Sequence, residues 1–163
     1  MIVSNTFSEK KTFIGKIKSI DTFDGQLDEA FAPMSVAIQL EDEIDIGRGD
    51  MIVRTNNKPQ SIQDIEVMIC WLNVKGPKPR AKYLLRHTTS EVKAMIQEVS
   101  YKLDISTLHR NEEDKEVSAN DICRMKLRTT KPLLVDGYAK NRITGSLILV
   151  DEGTNETVAA GMI

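Results

Sequence analysis

Apolar side chains recur at every second position along most of this chain, and that period leaves little room for helix. Residues 121–129 show it most clearly: Cys123, Met125 and Leu127 share one parity, and Arg124, Lys126 and Arg128 share the other. Successive side chains of an extended strand point to opposite faces, so such a run describes a strand buried on one side and wet on the other. Residues 34–40 repeat the pattern, with Met34, Val36, Ile38 and Leu40 opposite Ser35, Ala37 and Gln39. Residues 81–87 set Tyr83, Leu85 and His87 against Lys82, Leu84 and Arg86.

The remaining stretches fit the same picture. Residues 11–20 read as a strand that Gly15 allows to bend, and Phe23-Asp24-Gly25-Gln26 is a turn signal. Asp28 to Phe31 reads as a single helical turn stopped by Pro33. Residues 65–72 are almost wholly apolar and contain Trp71, which suggests a central strand buried on both faces. Gly76-Pro77-Lys78-Pro79 then breaks the chain with a rigid turn. Residues 91–103 slip phase, from Val92, Ala94 and Ile96 to Val99, Tyr101 and Leu103, as a β-bulge produces. A helix competes there, since Val92, Met95, Ile96 and Val99 also sit at helical spacing. Residues 108–119 carry charge without period and read as a solvated loop. Pro132 interrupts the chain before a short segment at 133–135. Residues 147–150 and 157–163 read as a closing hairpin, and residues 1–9 as a polar tail. Roughly ten short strands separated by frequent turns point to small barrels or sandwiches.

One boundary stands out inside this series. Glu41, Asp42, Glu43 and Asp45 form an acidic rim, and Gly47, Arg48, Gly49 and Asp50 make a tight turn into the apolar residues 51–53, which are expected to complete an antiparallel meander with 34–40. Gly accepts positive φ without steric cost, which suits such a corner. Residues 54–63, with Asn56-Asn57-Lys58-Pro59, read as a linker. The chain therefore divides into a first small β unit over 1–54, a linker over 55–63 and a second unit over 64–163.

Composition narrows the chemistry. A net charge of −2 argues against a dedicated nucleic-acid binder. No apolar run of about 18 residues or more is present, and no secretory leader opens the chain, so the expected location is cytoplasmic. Cys70 and Cys123 lie in apolar runs and read as small buried hydrophobes, with a disulfide between them left open. There is no Gly-x-x-x-x-Gly-Lys-Ser/Thr loop and no Gly-x-Gly-x-x-Gly, the two common phosphate cradles. His87 and His109 stand far from each other and from either cysteine in sequence, which disfavours a metal centre. A Cys–His nucleophilic pair would need the fold to bring His87 to Cys70 or Cys123.

The acidic run could supply paired carboxylates for acid–base work, but charge runs at strand ends are usually solvated. The Arg48-Gly49-Asp50 tripeptide is read as turn chemistry, and the Asn155-Glu156-Thr157 sequon as incidental. Arg124, Lys126 and Arg128 form a basic ladder on one strand face, with Lys131 beyond and Arg142 as a further candidate nearby. They are the candidate docking residues for an acidic partner or a phosphate backbone. The bland alternative is an outer barrel face balanced by acidic neighbours.

Several of these stretches occur together in one family. Residues 21–31, residues 40–51 around Gly47-Arg48-Gly49-Asp50, Trp71, and Tyr101-Lys102-Leu103-Asp104-Ile105 are four of them. Leu134-Val135-Asp136-Gly137-Tyr138, Asn141-Arg142-Ile143-Thr144-Gly145 and Val158-Ala159-Ala160-Gly161-Met162 follow in the same order. In this the chain resembles the large subunit of bacterial sulfate adenylyltransferase (ATP sulfurylase), a GTPase related to elongation factor Tu. The resemblance implies an all-β chain of two small antiparallel barrels of the translation-GTPase type, the first incomplete. It implies GTP and magnesium for a preceding domain outside this chain, none within it, and no activity for this piece alone. It also implies two partners, the small catalytic subunit and the subunit's own GTPase domain. The linker would then set how the barrels sit and relay nucleotide state. A translation-factor-like module gripping RNA or a ribosomal partner is the alternative.

Overall fold

A computed structural model describes residues 2–3, 12–78 and 80–163, all strand, turn and loop, with no helix among them. The chain separates into two units, Met1–Lys58 and Pro59–Ile163. Residues 4–11, most of the expected polar tail, and Pro79 of the expected rigid turn lie outside the described residues.

The first unit contains β1 (Ile2–Val3), β2 (Thr12–Phe13), β3 (Ile17–Thr22), β4 (Gly25–Leu27), β5 (Ala37–Leu40) and β6 (Met51–Ile52). They form two three-stranded sheets, β2-β1-β6 and β4-β3-β5. Gly25 sits at φ 125° in the β3–β4 turn, which the Phe23–Gln26 signal anticipates. Three expectations need correcting here. The strand predicted from Met34 begins only at Ala37, and Ile38 remains 39% exposed, so the apolar parity is not buried there. Residues 51–53 do not complete a meander with β5: Met51 and Ile52 pair with β1, so part of the expected tail is strand. Asp28 to Phe31 is not helical. The chain instead turns at Pro33, where the Met34 N–H donates to the Phe31 carbonyl (2.9 Å), and proline cannot donate to a helical ladder.

The second unit holds β7 (Gln60–Trp71), β8 (Lys82–His87), β9 (Ser90–Leu103), β10 (Arg110–Asn111), β11 (Ile122–Val135), β12 (Ser146–Val150) and β13 (Thr157–Met162). Six of them close on themselves in the antiparallel order β9-β11-β7-β13-β12-β8 and back to β9, with β10 on the edge of β9. Closure removes the unpaired edges that leave small sheets vulnerable. The interior is packed by Ile65, Val67, Ile69 and Trp71 from β7, by Cys123, Met125 and Leu127 from β11, and by Tyr83, Leu85, Leu147 and Leu149. Each fully buried aliphatic side chain contributes about 1.5–3 kcal/mol relative to exposure.

β7 corrects the expectation of burial on both faces. Glu66, Met68 and Cys70 point outward and only alternate residues enter the core, because a barrel has one inside. β7 also begins at Gln60, so residues 60–63 of the expected linker are already strand.

The phase slip in β9 resolves into two bulges. Opposite β11, the pairs Arg124–Tyr101 and Met125–Val99 leave Ser100 unmatched, and Lys126–Glu98 and Leu127–Ile96 leave Gln97 unmatched. The strand reading of this stretch therefore holds over the helical one. Pro132 does not end β11. Residues 129–132 bulge out between Arg128, paired with Asp64, and Leu133, paired with Ile62. Thr129 holds the bulge closed: its single hydroxyl proton is shared between the carbonyls of Gln63 (3.0 Å) and Lys131 (2.7 Å), both within reach of Oγ1, and the Gln63 amide donates back to the Thr129 carbonyl (2.8 Å). A proline inside such a bulge has no ladder bond to lose.

Candidate functional site

Alternation places Arg124, Lys126 and Arg128 on the outer face of β11, as expected, and pairing then fills the space around them with carboxylates. Lys126 lies opposite Glu66 on β7 and Glu98 on β9, and Arg128 lies opposite Asp64. The contacts are Arg124 to Glu66 at 3.3 Å, Lys126 to Glu98 at 2.9 Å and Arg128 to Asp64 at 2.8 Å. The Lys126 bond holds the Glu98 carboxyl below its ordinary range and pushes the Lys126 ammonium above its own. A neutralised ladder presents little net field to a phosphate backbone, since affinity there comes from cations that replace condensed counterions. Lys131 sits in the β11 bulge and Arg142 in the loop before β12, so neither extends the ladder along its strand.

One end of the barrel gathers three of the family-like sequence words. Asp136 and Thr144 are joined twice, by the Asp136 N–H to the Thr144 carbonyl (3.2 Å) and by the Thr144 hydroxyl to the Asp136 carboxylate (2.9 Å). Lys140 adds a bond to Asp136 at 2.6 Å and, with Thr144, holds its carboxyl below the usual range. The Tyr138 N–H donates to the carbonyl of Ile163, whose own N–H donates to Gly145, both at 2.8 Å. Gly145 is obligatory there, because any Cβ would collide with the Tyr138 backbone. His87, 1% exposed, completes the knot through Nε2 to the Thr144 carbonyl at 2.8 Å. Its ring is a structural tie between β8 and this loop.

At the other end the loop expected to be solvated is partly a lid. Val117 is 7% exposed and packs into the core, and the Asn120 N–H donates to the Trp71 carbonyl (2.7 Å). Lys102 pins this loop by reaching Asp114 (2.8 Å), Asp121 (3.0 Å) and the Glu116 carbonyl (2.7 Å), and those partners push its ammonium above the ordinary range. Sequence reasoning passed over Lys102. A lone lysine at the end of an apolar strand was the available signal.

Beside the lid, a cleft of about 230 Å³ is lined by Trp71, Asn73, Lys75, Lys78, Tyr83, Asp151 and Glu156, among others. Trp71 and Tyr83 meet edge to face at 5.7 Å, and the Trp71 indole donates to the Lys75 carbonyl (2.9 Å). The Tyr83 hydroxyl accepts from the Lys78 N–H (3.2 Å), and burial pushes its pKa up. No nucleophile stands beside a base here.

The other candidates fall into place. Cys123 is fully buried, and burial raises its thiol to about 11, which leaves it inert. Cys70 points out of the barrel while Cys123 points in, so the two do not meet as a disulfide, and both are free. Cys123 begins β11 at the lid end and His87 ends β8 at the knot, so no Cys–His pair forms. Among the described residues no cluster of His, Cys, Asp and Glu is arranged for a metal ion. No helix among the described residues is long and apolar enough to cross a membrane. Gly47, Arg48, Gly49 and Asp50 form the expected turn: Gly49 has φ 103°, the Gly47 N–H donates to the Asp50 carboxylate (2.8 Å), and the Asp50 N–H donates to the Gly47 carbonyl (3.1 Å).

Comparison with known proteins sets these features in a family. The family described as GTP-eEF1A C-terminal domain-like matches residues 64–163, the barrel from early β7 to the last residue. A bifunctional enzyme CysN/CysC of Rhodopirellula baltica is 47% identical over 91% of this chain, which spans 23% of that relative. Sulfate adenylyltransferase subunit 1 of Sulfurovum sp. is 44% identical over 82% of the chain, which spans 28% of it. The corresponding subunit of Bacteroides fragilis is 39% identical over 92%, spanning 31%. The chain thus spans about a quarter to a third of the length of the relatives it matches. Sup35 complexed with GDP superposes with a TM-score of 0.77 at 18% identity, covering 91% of this chain and 36% of that one, a likeness of fold alone. The chain belongs to the GTP-eEF1A C-terminal domain-like family and is a homologue of sulfate adenylyltransferase subunit 1.

Proposed function

We propose that this chain is the non-catalytic barrel region of a GTP-dependent sulfate adenylyltransferase large subunit. In that setting GTP hydrolysis in a preceding domain drives formation of adenylylsulfate from ATP and sulfate, and a separate small subunit carries out the adenylyl transfer. The barrels bind and position those two partners. The observation that carries this reading is 39–47% identity to such proteins over about nine-tenths of the chain. The geometry agrees with it: every polar cluster described above ties strands or loops together, and none sets a reactive group beside a base. GTP and magnesium belong to the preceding domain.

Deletion of this segment from the longer subunit tests the proposal. The expected result is loss of the GTP stimulation of adenylylsulfate formation, with basal transfer by the small subunit intact. GTP stimulation that survives the deletion would overturn it. Titration calorimetry of this chain with GTP is expected to show no binding, and tight binding would contradict the placement of the nucleotide site.

A further inference from the structure

On the outside of the barrel, cations close onto the carboxylates beside them. Arg86 meets Glu91 at 2.7 Å, Lys93 meets Glu152 at 2.9 Å and Lys126 meets Glu98 at 2.9 Å. The cleft of about 230 Å³ beside the lid behaves differently. Lys75 and Lys78 line it from the β7–β8 loop, and Asp151 and Glu156 line it from the β12–β13 turn. Among the described residues neither lysine closes an ion pair with either carboxylate. Lys78 is nonetheless near enough to be felt. The N–H groups of Gly153 and Thr154, together with the charge of Lys78, hold the Asp151 carboxyl below its usual range.

Both walls are held in place without closing those charges on each other. In the first, the Lys75 N–H donates to the Asn73 side-chain oxygen (2.9 Å), and the Trp71 indole donates to the Lys75 carbonyl. Gly76 fixes its depth, because any Cβ there would collide with the Val117 carbonyl of the lid. In the second, Asp151 Oδ1 accepts from the N–H groups of Gly153 (2.8 Å) and Thr154 (3.1 Å), and the Asp151 N–H donates to the Glu156 carbonyl (2.9 Å). Glu156 takes longer bonds from the Thr154 hydroxyl (3.2 Å) and the Asn73 amide (3.5 Å). The Tyr83 hydroxyl accepts from the Lys78 N–H (3.2 Å), and its own proton has no acceptor among the described residues. The buried side chains of Trp71, Tyr83 and Val158 make the floor apolar.

Space and charge together define the occupant. The volume falls below the roughly 300–1,000 Å³ of pockets for drug-sized ligands, which suits a small metabolite. A lone anion would be repelled by the two carboxylates, and a lone cation by the two ammonium groups. A small molecule that carries both charges satisfies both walls, and rigid walls lower the ordering cost of binding it. We propose that this cleft binds a free zwitterionic α-amino acid with a small apolar side chain. Its carboxylate lies between Lys75, Lys78 and the Tyr83 hydroxyl, and its ammonium group lies against Asp151 and Glu156. Its side chain rests on the floor of Trp71, Tyr83 and Val158. The site is separate from the roles proposed above and does not depend on them.

L-Valine is the probe, followed by nuclear magnetic resonance through the indole N–H of Trp71, the sole tryptophan. Isovalerate, which lacks its ammonium group, and isobutylamine, which lacks its carboxylate, are the controls. The expected result is a saturable shift, with L-valine binding roughly tenfold tighter than either analogue. Lys78→Met and Asp151→Asn should each weaken it by roughly fivefold or more. Glu156→Gln changes an exposed side chain, so it carries the same test if Asp151→Asn disturbs the turn, and the urea midpoint checks each fold. Lys126→Met removes the same charge from the ladder and should leave binding within about twofold. L-Valine that binds no better than its analogues, or as well to the Lys78→Met and Glu156→Gln chains, would overturn the proposal. So would the absence of a saturable shift, or a loss with Lys126→Met equal to that with Lys78→Met.

Discussion

The two units are written in the same alternating pattern and end in opposite states. In the second, strands of up to fourteen residues close into a barrel, and both β7 and β11 send every second side chain into one sealed interior. In the first, strands of two to six residues form two separate three-stranded sheets, and none of the side chains described there is fully buried. Phe23 is fully exposed, and Phe31 and Ile14 are 72% and 75% exposed. Alternation specifies which parity is apolar, but burial requires a second layer for that parity to meet. The barrel supplies the layer by closing on itself. Among the described residues the short sheets leave their apolar parity at least partly exposed.

The difference makes strong and weak predictions. The largest effect belongs to the sealed core: Leu127→Ala should cost about 3 kcal/mol, read by urea denaturation with Trp71 as the sole tryptophan reporter. The matching truncation in the first unit, Ile38→Ala, should cost less than about 1 kcal/mol, read by amide hydrogen exchange in β3 and β5 because Trp71 reports on the second unit, since little area leaves water there. Equal costs would mean that the two units are buried alike and that the contrast is wrong.

The β11 bulge comes next. Thr129→Val removes the hydroxyl that closes it and leaves the Gln63 carbonyl without that donor, for an expected loss of about 1–2 kcal/mol. A neutral result would show that the four-residue bulge is held by packing alone.

A pH dependence isolates the knot. Asp136 has a folded pKa below its unfolded value near 3.9, so the unfolded chain binds the proton first as pH falls. Its contribution is complete above about pH 5 and is lost as pH drops through the folded pKa. Asp136→Asn should therefore flatten the decline in stability between roughly pH 5 and 3, relative to the unmodified chain. Identical slopes for the two proteins would remove Asp136 from the account.

The ladder should show the smallest effect. A double-mutant cycle on Arg128 and Asp64, both about half exposed, is expected to give a coupling of roughly 0.5 kcal/mol that vanishes near 1 M salt. A coupling of several kcal/mol would reveal a desolvated pair and reopen the ladder as a site.

Much of this could be read before any coordinates. The parity of Cys123, Met125 and Leu127, the phase slip in residues 91–103, the Gly47–Asp50 corner and the closing hairpin are all local, because strand period, bulge and turn chemistry act over a few residues. Strand registry was not local. Nothing near Met68 or Cys70 distinguishes a strand buried on both sides from one whose second face lies on the outside of a barrel. Nothing near Arg124, Lys126 and Arg128 announces Glu66, Glu98 and Asp64, which arrive from other strands. His87 and Thr144 stand 57 residues apart and meet only when the barrel closes.

The amino-acid sequence by itself determined the all-β class, the inward parity and the family-like words, since each depends on a residue and its near neighbours. Only the tertiary structure decided that the basic ladder is neutral, that the charged loop is a lid, and that two loops hold opposite charges apart across a cleft. Those are properties of pairing between distant strands, and pairing is set by closing one interior with the least apolar surface left in water.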